Sequence, residues 1–507
     1  MKRHLKFSKS LFFCAFLICI GNSDAATTIL PDIISNNMIL KQKSNVALWG
    51  WDKPKTNIAI NTGWNNKEYR TKTDKNGQWK IFVKTPAAGG PYNILIEGTD
   101  RISLSDILIG EVWFTSGQSN MGWSFFEEKD GLKFIKNINN KKIRLFLVPH
   151  RTEEKECKRF ENNVAWKNSN AETLKYFSSM SYYFAARLQE RLNVPIGIIS
   201  ASWAGTGIES WISSDLQNSD NQLKKSIDRW NGWLGRYKED SIKYENTVTL
   251  WKKDSVNDAI RARVKMPKSL YMISRPHNKP GGPYNGMICP CIPYAISGLI
   301  WYQGENSVEW ADEYEHQLES LIDSWRNSWN QNFPVLVGQL TNFNYPSPEK
   351  AAVLRAAQLK MTKKKGTYVI CTIDIGNPEN VHPVDKKPFG KRFADMALNK
   401  IYGFKEFPAD YPMVNKAERT ENKILITFHN AKGLQIKGNE LNDVLIWEDN
   451  NKKVKAQTQI KENRLIIYSD SIRNPAGVSY AVDNNVKANL YNEYDLPAYP
   501  FILKLKH

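Results

Sequence analysis

Cysteine, histidine and long apolar runs are all scarce in this chain, and each scarcity removes a class of protein. Six cysteines among 507 residues are too few for a disulfide scaffold, and Cys14 and Cys19 lie in a leader-like N-terminus. The other four, Cys157, Cys289, Cys291 and Cys371, read as buried thiols with room for one bridge. The Cys289-Pro290-Cys291 spacing is that of neither a zinc site nor a redox pair. Seven histidines occur without HExxH or a comparable spacing, so neither a metal nor another cofactor is expected. Past the N-terminus no stretch is apolar enough to span a bilayer, so stable membrane insertion is not expected. Internal repeats and low-complexity tracts are also missing.

What is present suits a large exported protein. The length suggests roughly two to four domains. Hydrophobic residues at 41% and aromatics at 12% suffice for sizeable cores. The 17 tryptophans suit sugar-binding platforms as well as cores. Lys2, Arg3, Lys6 and Lys9 form a basic start, and Leu11 to Ile20 an apolar run. Ser23-Asp24-Ala25 supplies small residues for a peptidase. Together they predict a signal peptide over 1–25, cleaved after Ala25, and a periplasmic or extracellular protein. The formal charge of +18 would attract acidic glycans or anionic surfaces. The basic residues are scattered with no motif to group them, so nucleic acid is not an expected partner.

Residues 26–106 hold short strand-like runs at 45–51, 57–61, 78–84 and 93–97. Turn signals separate them, among them Asn76-Gly77, and the pattern predicts a β-sandwich. From 107 to 411 strands and amphipathic helices alternate. Strands are expected at 107–114, 143–148, 194–200, 297–302, 334–340 and 367–372. Helices are expected at 178–192, 349–361 and 386–401, and another around Tyr314, Leu318, Leu321, Ile322 and Trp325. This alternation predicts an α/β domain with a doubly wound parallel sheet. Residues 214–266 break the rhythm and read as a helical insertion. From 412 to 507 β-like runs return at 423–428, 443–448 and 464–468, expected to pack on the N-terminal sandwich.

Four expected strand ends carry polar chemistry, where open α/β sheets place their ligand sites. The first is Gln118-Ser119-Asn120, after the apolar run 107–114. Ser119 there is a candidate nucleophile, with backbone N–H groups close by for an oxyanion. The same residues also suit a polar turn capping the next helix. The second is Ser202-Trp203-Ala204-Gly205-Thr206-Gly207, whose glycines let a backbone N–H approach a ligand. The third, Trp301 to Asn306, offers the Gln303 amide and the Glu305 carboxylate. The fourth runs from Asp374 through Glu379 to His382. His382 alone among the histidines follows a core strand with a carboxylate three positions earlier, and a general base for Ser119 needs an imidazole oriented by a carboxylate or a carbonyl.

These segments resemble those of the sialate O-acetylesterases of the SGNH-hydrolase superfamily. Gly110 to Met121 (GEVWFTSGQSNM) matches the nucleophile block. Tyr284-Asn-Gly-Met-Ile288 and Trp301-Tyr-Gln-Gly-Glu305 match the central block, and Val381-His-Pro383 the histidine block. Leu30-Pro31 and Val46 to Trp51 fit the opening β domain. Leu490-Tyr-Asn492 and Leu496 to Phe501 fit the C-terminal signature. The resemblance runs over almost all of the chain after the leader. It implies a flavodoxin-like SGNH core and acyl transfer to Ser119, with His382 as base and then acid. It implies an oxyanion hole from the Ser119 N–H, the Gly205 N–H and the Gln303 side chain. Glu379 is the expected triad acid, with Glu305 as the alternative. The expected substrate is O-acetylated sialic acid. Acetylated xylan or another glycan is an alternative, and a silent glycan-binding protein a further one. Ala204 replaces a usual glycine, Asn306-Ser307 reverses the usual order, Gly122 replaces a common glutamate and Ser479 a common arginine.

Overall fold

A computed structural model describes residues 27–505, apart from 162–163, 255–275, 450–451 and 485. The expected leader and the far end of the expected helical insertion lie outside the described residues.

One strand, Arg101–Gly117, joins two parts of the molecule. Its first residues alternate between exposed and buried, and from Ile107 onward every residue is buried. The sequence dictates both halves: Arg-Ile-Ser-Leu-Ser-Asp alternates, whereas Ile-Leu-Ile-Gly-Glu-Val-Trp-Phe is almost continuously apolar. The first half pairs antiparallel with Gly89–Glu97, and Ile39–Lys41 pairs parallel at Leu108–Gly110. From Glu111 the strand pairs parallel with Ile196–Ser202 on one side, and from Trp113 with Gly298–Tyr302 on the other. The expected boundary at 106/107 therefore falls within a strand, at the point where alternation ends.

Across the core sheet the order is Thr367–Ile370, Val335–Gly338, Gly298–Tyr302, Arg101–Gly117, Ile196–Ser202 and Asn139–Leu147. All these neighbours run parallel. Lys167–Asn170 adds an antiparallel edge. Apart from the outlying Asn139–Leu147 strand, the chain crosses the sheet in flavodoxin order, and the strand direction of travel reverses at the central strand. A crevice is therefore expected beyond Gly117.

Helices cover both faces. Trp113 and Phe114 are neighbours on a strand and point to opposite faces. Trp113 meets Phe184 of helix Ser179–Leu192 edge-on at 4.9 Å. Phe114 meets Trp325 and Trp329 of helix Ala311–Trp329 at 5.8 and 5.6 Å. Helix Lys387–Lys400 packs on Ser179–Leu192, and Pro348–Lys360 on Ala311–Trp329. Ser178 caps the start of the first helix and Asn193, at φ 51°, ends it.

The insertion begins as helices Ser214–Ser219 and Lys224–Asp254. The C-terminal part forms two four-stranded antiparallel sheets. Among the described residues its hydrogen bonds outside itself run to the core. Tyr499 donates its hydroxyl to Val369 O at 2.6 Å, Tyr491 to Asp374 at 3.1 Å, and Asn342 its amide to Val486 O at 2.9 Å. The first satisfies a carbonyl on the Thr367–Ile370 edge strand, and the other two lie in the loops that follow that strand and Val335–Gly338. All four described cysteines are free thiols. Among the described residues no helix is long and apolar enough to cross a membrane.

Phe114→Ala removes a fully buried ring from between two tryptophans. It is expected to cost about 3–5 kcal/mol, read as a lower denaturation midpoint in guanidinium. A loss below about 1 kcal/mol would show that the face repacks.

Candidate active site

The crevice is built first by glycine. Gly117 sits at φ 142°, and a Cβ there would lie 2.0 Å from Tyr302 O. Only glycine lets the central strand end so close to its neighbour. Gln118 then leaves the sheet, and the short helix Ser119–Gly122 starts at the serine. The Gln118 side chain laces the neighbouring loop: its Oε1 accepts from Gln303 Nε2 at 3.1 Å and from Asn306 N at 3.2 Å.

The Ser119 hydroxyl lies 2.8 Å from His382 Nε2. Both residues are half-buried. A neutral ring protonated at Nδ1 accepts the serine proton in this geometry. The imidazole lies flat on Trp123, with centroids 4.6 Å apart and planes 25° apart. The His382 backbone N–H is held by Asn380 Oδ1 at 2.9 Å. Burial lowers the His382 pKa from its ordinary value; the Lys386 charge lowers it further and Glu127 opposes.

Neither expected triad acid reaches that ring. Glu379 is exposed and accepts from Asn344 Nδ2 at 3.2 Å; its side chain turns away along the loop. Glu305 is in the crevice wall, but its Oε1 accepts from Asn120 Nδ2, and its Oε2 is buried without a hydrogen-bond partner. Burial raises its pKa, against the Asn120 bond and the Lys386 charge. Among the described residues no carboxylate is hydrogen-bonded to the His382 ring.

Gln303 also departs from expectation. It is fully buried, and its amide nitrogen points at Gln118 Oε1, Thr206 O at 3.2 Å and Ser307 Oγ at 2.9 Å. Tyr314 donates to its Oε1 at 2.9 Å. Gln303 is a strut beneath the crevice and not a donor into it. Gly205 stands at φ 77° on the crevice rim, and its carbonyl accepts from Asn306 Nδ2 at 2.9 Å. The N–H groups of Ser119 and Gly205 have no acceptor among the described residues.

Asn120 is the residue that ties these pieces together. Besides Glu305, its Nδ2 bonds Val381 O at 2.9 Å, and its Oδ1 accepts from Lys386 Nζ at 2.6 Å. Sequence reasoning placed Asn120 in the nucleophile turn but not as a bridge, missed Lys386 and Trp123, and passed over two other histidines. His150 stacks on Trp203 at 4.3 Å and Trp203 on His277 at 4.7 Å, with His150 Nε2 3.0 Å from Ser202 O. This three-ring stack stands beside the loop that carries Gly205. His150 and His277 lie far from Trp203 in sequence, so no local pattern joins them.

Residues 273–399 match the family described as carbohydrate esterase, sialic acid-specific acetylesterase. The stretch holds Gln303, Glu305, His382 and Lys386. The chain is 24% identical to the sialate O-acetylesterase of Homo sapiens over 456 residues, covering 82% of this chain and 79% of that protein. It is 23% identical to that of Mus musculus, covering 94% of each. Among solved structures, a carbohydrate acetylesterase from Xanthomonas citri superposes with a TM-score of 0.79 at 28% identity, covering 94% of this chain and all of that one. The chain is a carboxylic ester hydrolase related to the sialate O-acetylesterases. Its SGNH-type fold goes with that relationship.

Because Glu379 is exposed and engaged with Asn344, Glu379→Gln is expected to leave the esterase's kcat within about twofold of the parent, since only contacts made in the transition state alter it. Steady-state acetate release checks this, and a loss of about 10²-fold would restore Glu379 as the residue orienting His382.

Proposed function

We propose that this esterase removes O-acetyl groups from sialic acid through an acetyl-enzyme on Ser119. The observation that carries the reading is the 2.8 Å contact between Ser119 Oγ and His382 Nε2. His382 takes the hydroxyl proton as Oγ attacks the acetyl carbonyl. The N–H groups of Ser119 and Gly205 receive the oxyanion. As the tetrahedral intermediate collapses, the C–O bond to the sugar breaks and the protonated His382 gives its proton to the leaving oxygen. Water then enters and attacks the acetyl carbon as His382 takes its proton; the bond from carbon to Ser119 Oγ breaks, His382 returns the proton to Oγ, and acetate leaves. The imidazole is oriented by its stacking on Trp123 and not by a carboxylate, so the pair works as a Ser–His dyad.

Sialic acid is favoured as the carrier because the curated relatives are named for it and because the family description specifies it. A broader reading, acetylated xylan or another glycan, is favoured by the similarity to the Xanthomonas citri protein, described only as a carbohydrate acetylesterase. Acetate release from 9-O-acetyl sialic acid and from acetylated xylan decides between them: a kcat/KM tenfold or more higher on the sialic acid supports the first, and the reverse overturns it. Export rests on the leader-like segment 1–25; a mature protein beginning at Ala26 supports it.

Ser119→Ala is expected to reduce kcat by several orders of magnitude with little change in melting temperature. Retention of more than about a tenth of the activity would remove Ser119 from the role. The parent's kcat/KM is expected to rise with pH through a midpoint below about 6.5, the ordinary histidine value. The sign follows from the site: burial and the Lys386 charge both disfavour the imidazolium, so the base form appears at lower pH than in a free histidine. A midpoint well above 7 would contradict this.

A further inference from the structure

Lys386 is fully buried. It is the last residue before helix Lys387–Lys400, where the helix dipole presents its positive end. Its ammonium lies 5.5 Å from the centre of the Trp123 ring and 5.2 Å from that of Phe389. Burial and the helix end both make a cation costly there, and an apolar side chain of similar length would fill the same space without that cost. The chain nevertheless places a lysine there, and its Nζ donates to Asn120 Oδ1 at 2.6 Å.

The connections of that bond explain the choice. Asn120 follows Ser119 directly and holds Val381 O, the carbonyl just before His382, at 2.9 Å. Lys386 lies four residues beyond His382, so the bond to Asn120 closes the histidine loop upon the nucleophile's own turn. The Lys386 backbone N–H is fixed in turn by Glu128 Oε1 at 3.1 Å. Trp123 joins the two groups: His382 stacks on its ring and the Lys386 ammonium approaches the same ring.

We propose that Lys386 is a positioning residue of the esterase: its ammonium, anchored on Asn120, locks the His382 loop against Ser119 and places a positive charge against the Trp123 ring on which the imidazole stacks. This rests on His382 being the base. The charged surroundings agree. Burial brings Lys386 down to about 7, while Glu305, Glu128, Glu127 and Asp385 work to keep it charged. Glu305 faces it from the loop after Gly298–Tyr302, Glu127 and Glu128 from the loop after the nucleophile turn, and Asp385 from its own loop. Tyr183, from helix Ser179–Leu192, stands beside Glu128. At His382 the charges at work are Lys386, which lowers its pKa, and Glu127, which opposes. In this arrangement Glu305 is the counter-ion of Lys386, reached through the Asn120 amide, which gives a buried carboxylate at the crevice a role other than triad acid.

The test compares the full-length parent with Lys386→Met, and with Lys386→Gln in case the methionine variant fails to fold. The His382 ring is titrated directly by NMR with 13C-labelled histidine, its signal assigned from its loss in His382→Ala. The pH profile of kcat/KM is recorded alongside. Removing the ammonium is expected to raise the His382 midpoint by on the order of half a pH unit or more, and the ascending limb of kcat/KM is expected to move with it. The plateau kcat is expected to fall about tenfold as the loop loosens, with KM little changed. Lys386→Arg, which keeps the charge, is expected to return the midpoint towards the parent's. An unmoved His382 midpoint in the neutral variant overturns the proposal, even if melting temperature falls, because a space-filling lysine would act on stability alone. An active His382→Ala variant overturns the base reading instead, and the NMR titration still reports separately on the lysine.

Discussion

The crevice depends on how the strand Arg101–Gly117 ends. It is paired on both sides by parallel neighbours, so its direction is fixed to its last residue. At Gly117 it passes within contact of the Tyr302 carbonyl, too close for any side chain. The chain must leave the sheet there, at the point where the connections diverge to either side. Ser119 is thus presented by a tightly constrained backbone. Its partner arrives on a loop from beyond Thr367–Ile370, two strands further out than Gly298–Tyr302. Precise delivery on one side therefore has to be matched by bonds that pin a longer loop on the other.

Those bonds converge on Asn120. One amide side chain joins the nucleophile's turn, the carbonyl before His382, the Glu305 carboxylate and the Lys386 ammonium. A buried carboxylate and a buried ammonium are each expensive alone, and each partly offsets the other across a neutral bridge. Trp123 adds a flat apolar wall that fixes the plane of the imidazole without binding its proton. Orientation by stacking leaves the ring less basic than orientation by a carboxylate would, in keeping with the lowered His382 pKa.

Much of this was legible from the chain. The switch from alternating to continuous apolar residues near Ile107 marked the central strand, and the 3.6-residue spacing of Tyr314, Leu318, Leu321 and Trp325 marked a buried helix face. The pairing of Ser119 with His382 followed from strand ends and turn residues. What sequence could not carry is the direction of side chains. Gln303 and Glu305 stand at a strand end as expected, yet one points under the crevice and the other towards Asn120. Glu379 is near His382 in sequence and turns outward. Lys386 looked like the start of a helix because burial is a property of what surrounds it, here Trp123 and Glu128 from a distant part of the chain as well as Phe389 from the adjoining helix. Lys167–Asn170 was missed because a polar edge strand has no apolar period to show. The C-terminal sheets were expected on the N-terminal sandwich, whereas Tyr499, Tyr491 and Val486 bond the core at Val369, Asp374 and Asn342, partners that no linear pattern displays.

The central claim is that His382 activates Ser119 as the nucleophile. A serine-directed fluorophosphonate tests it without reference to any sugar, because only an activated hydroxyl attacks phosphorus at an appreciable rate. The account predicts one adduct, on the peptide that contains Ser119, formed at a rate that falls by orders of magnitude in His382→Ala. An adduct on another residue, or labelling of Ser119 at the same rate without His382, would contradict it.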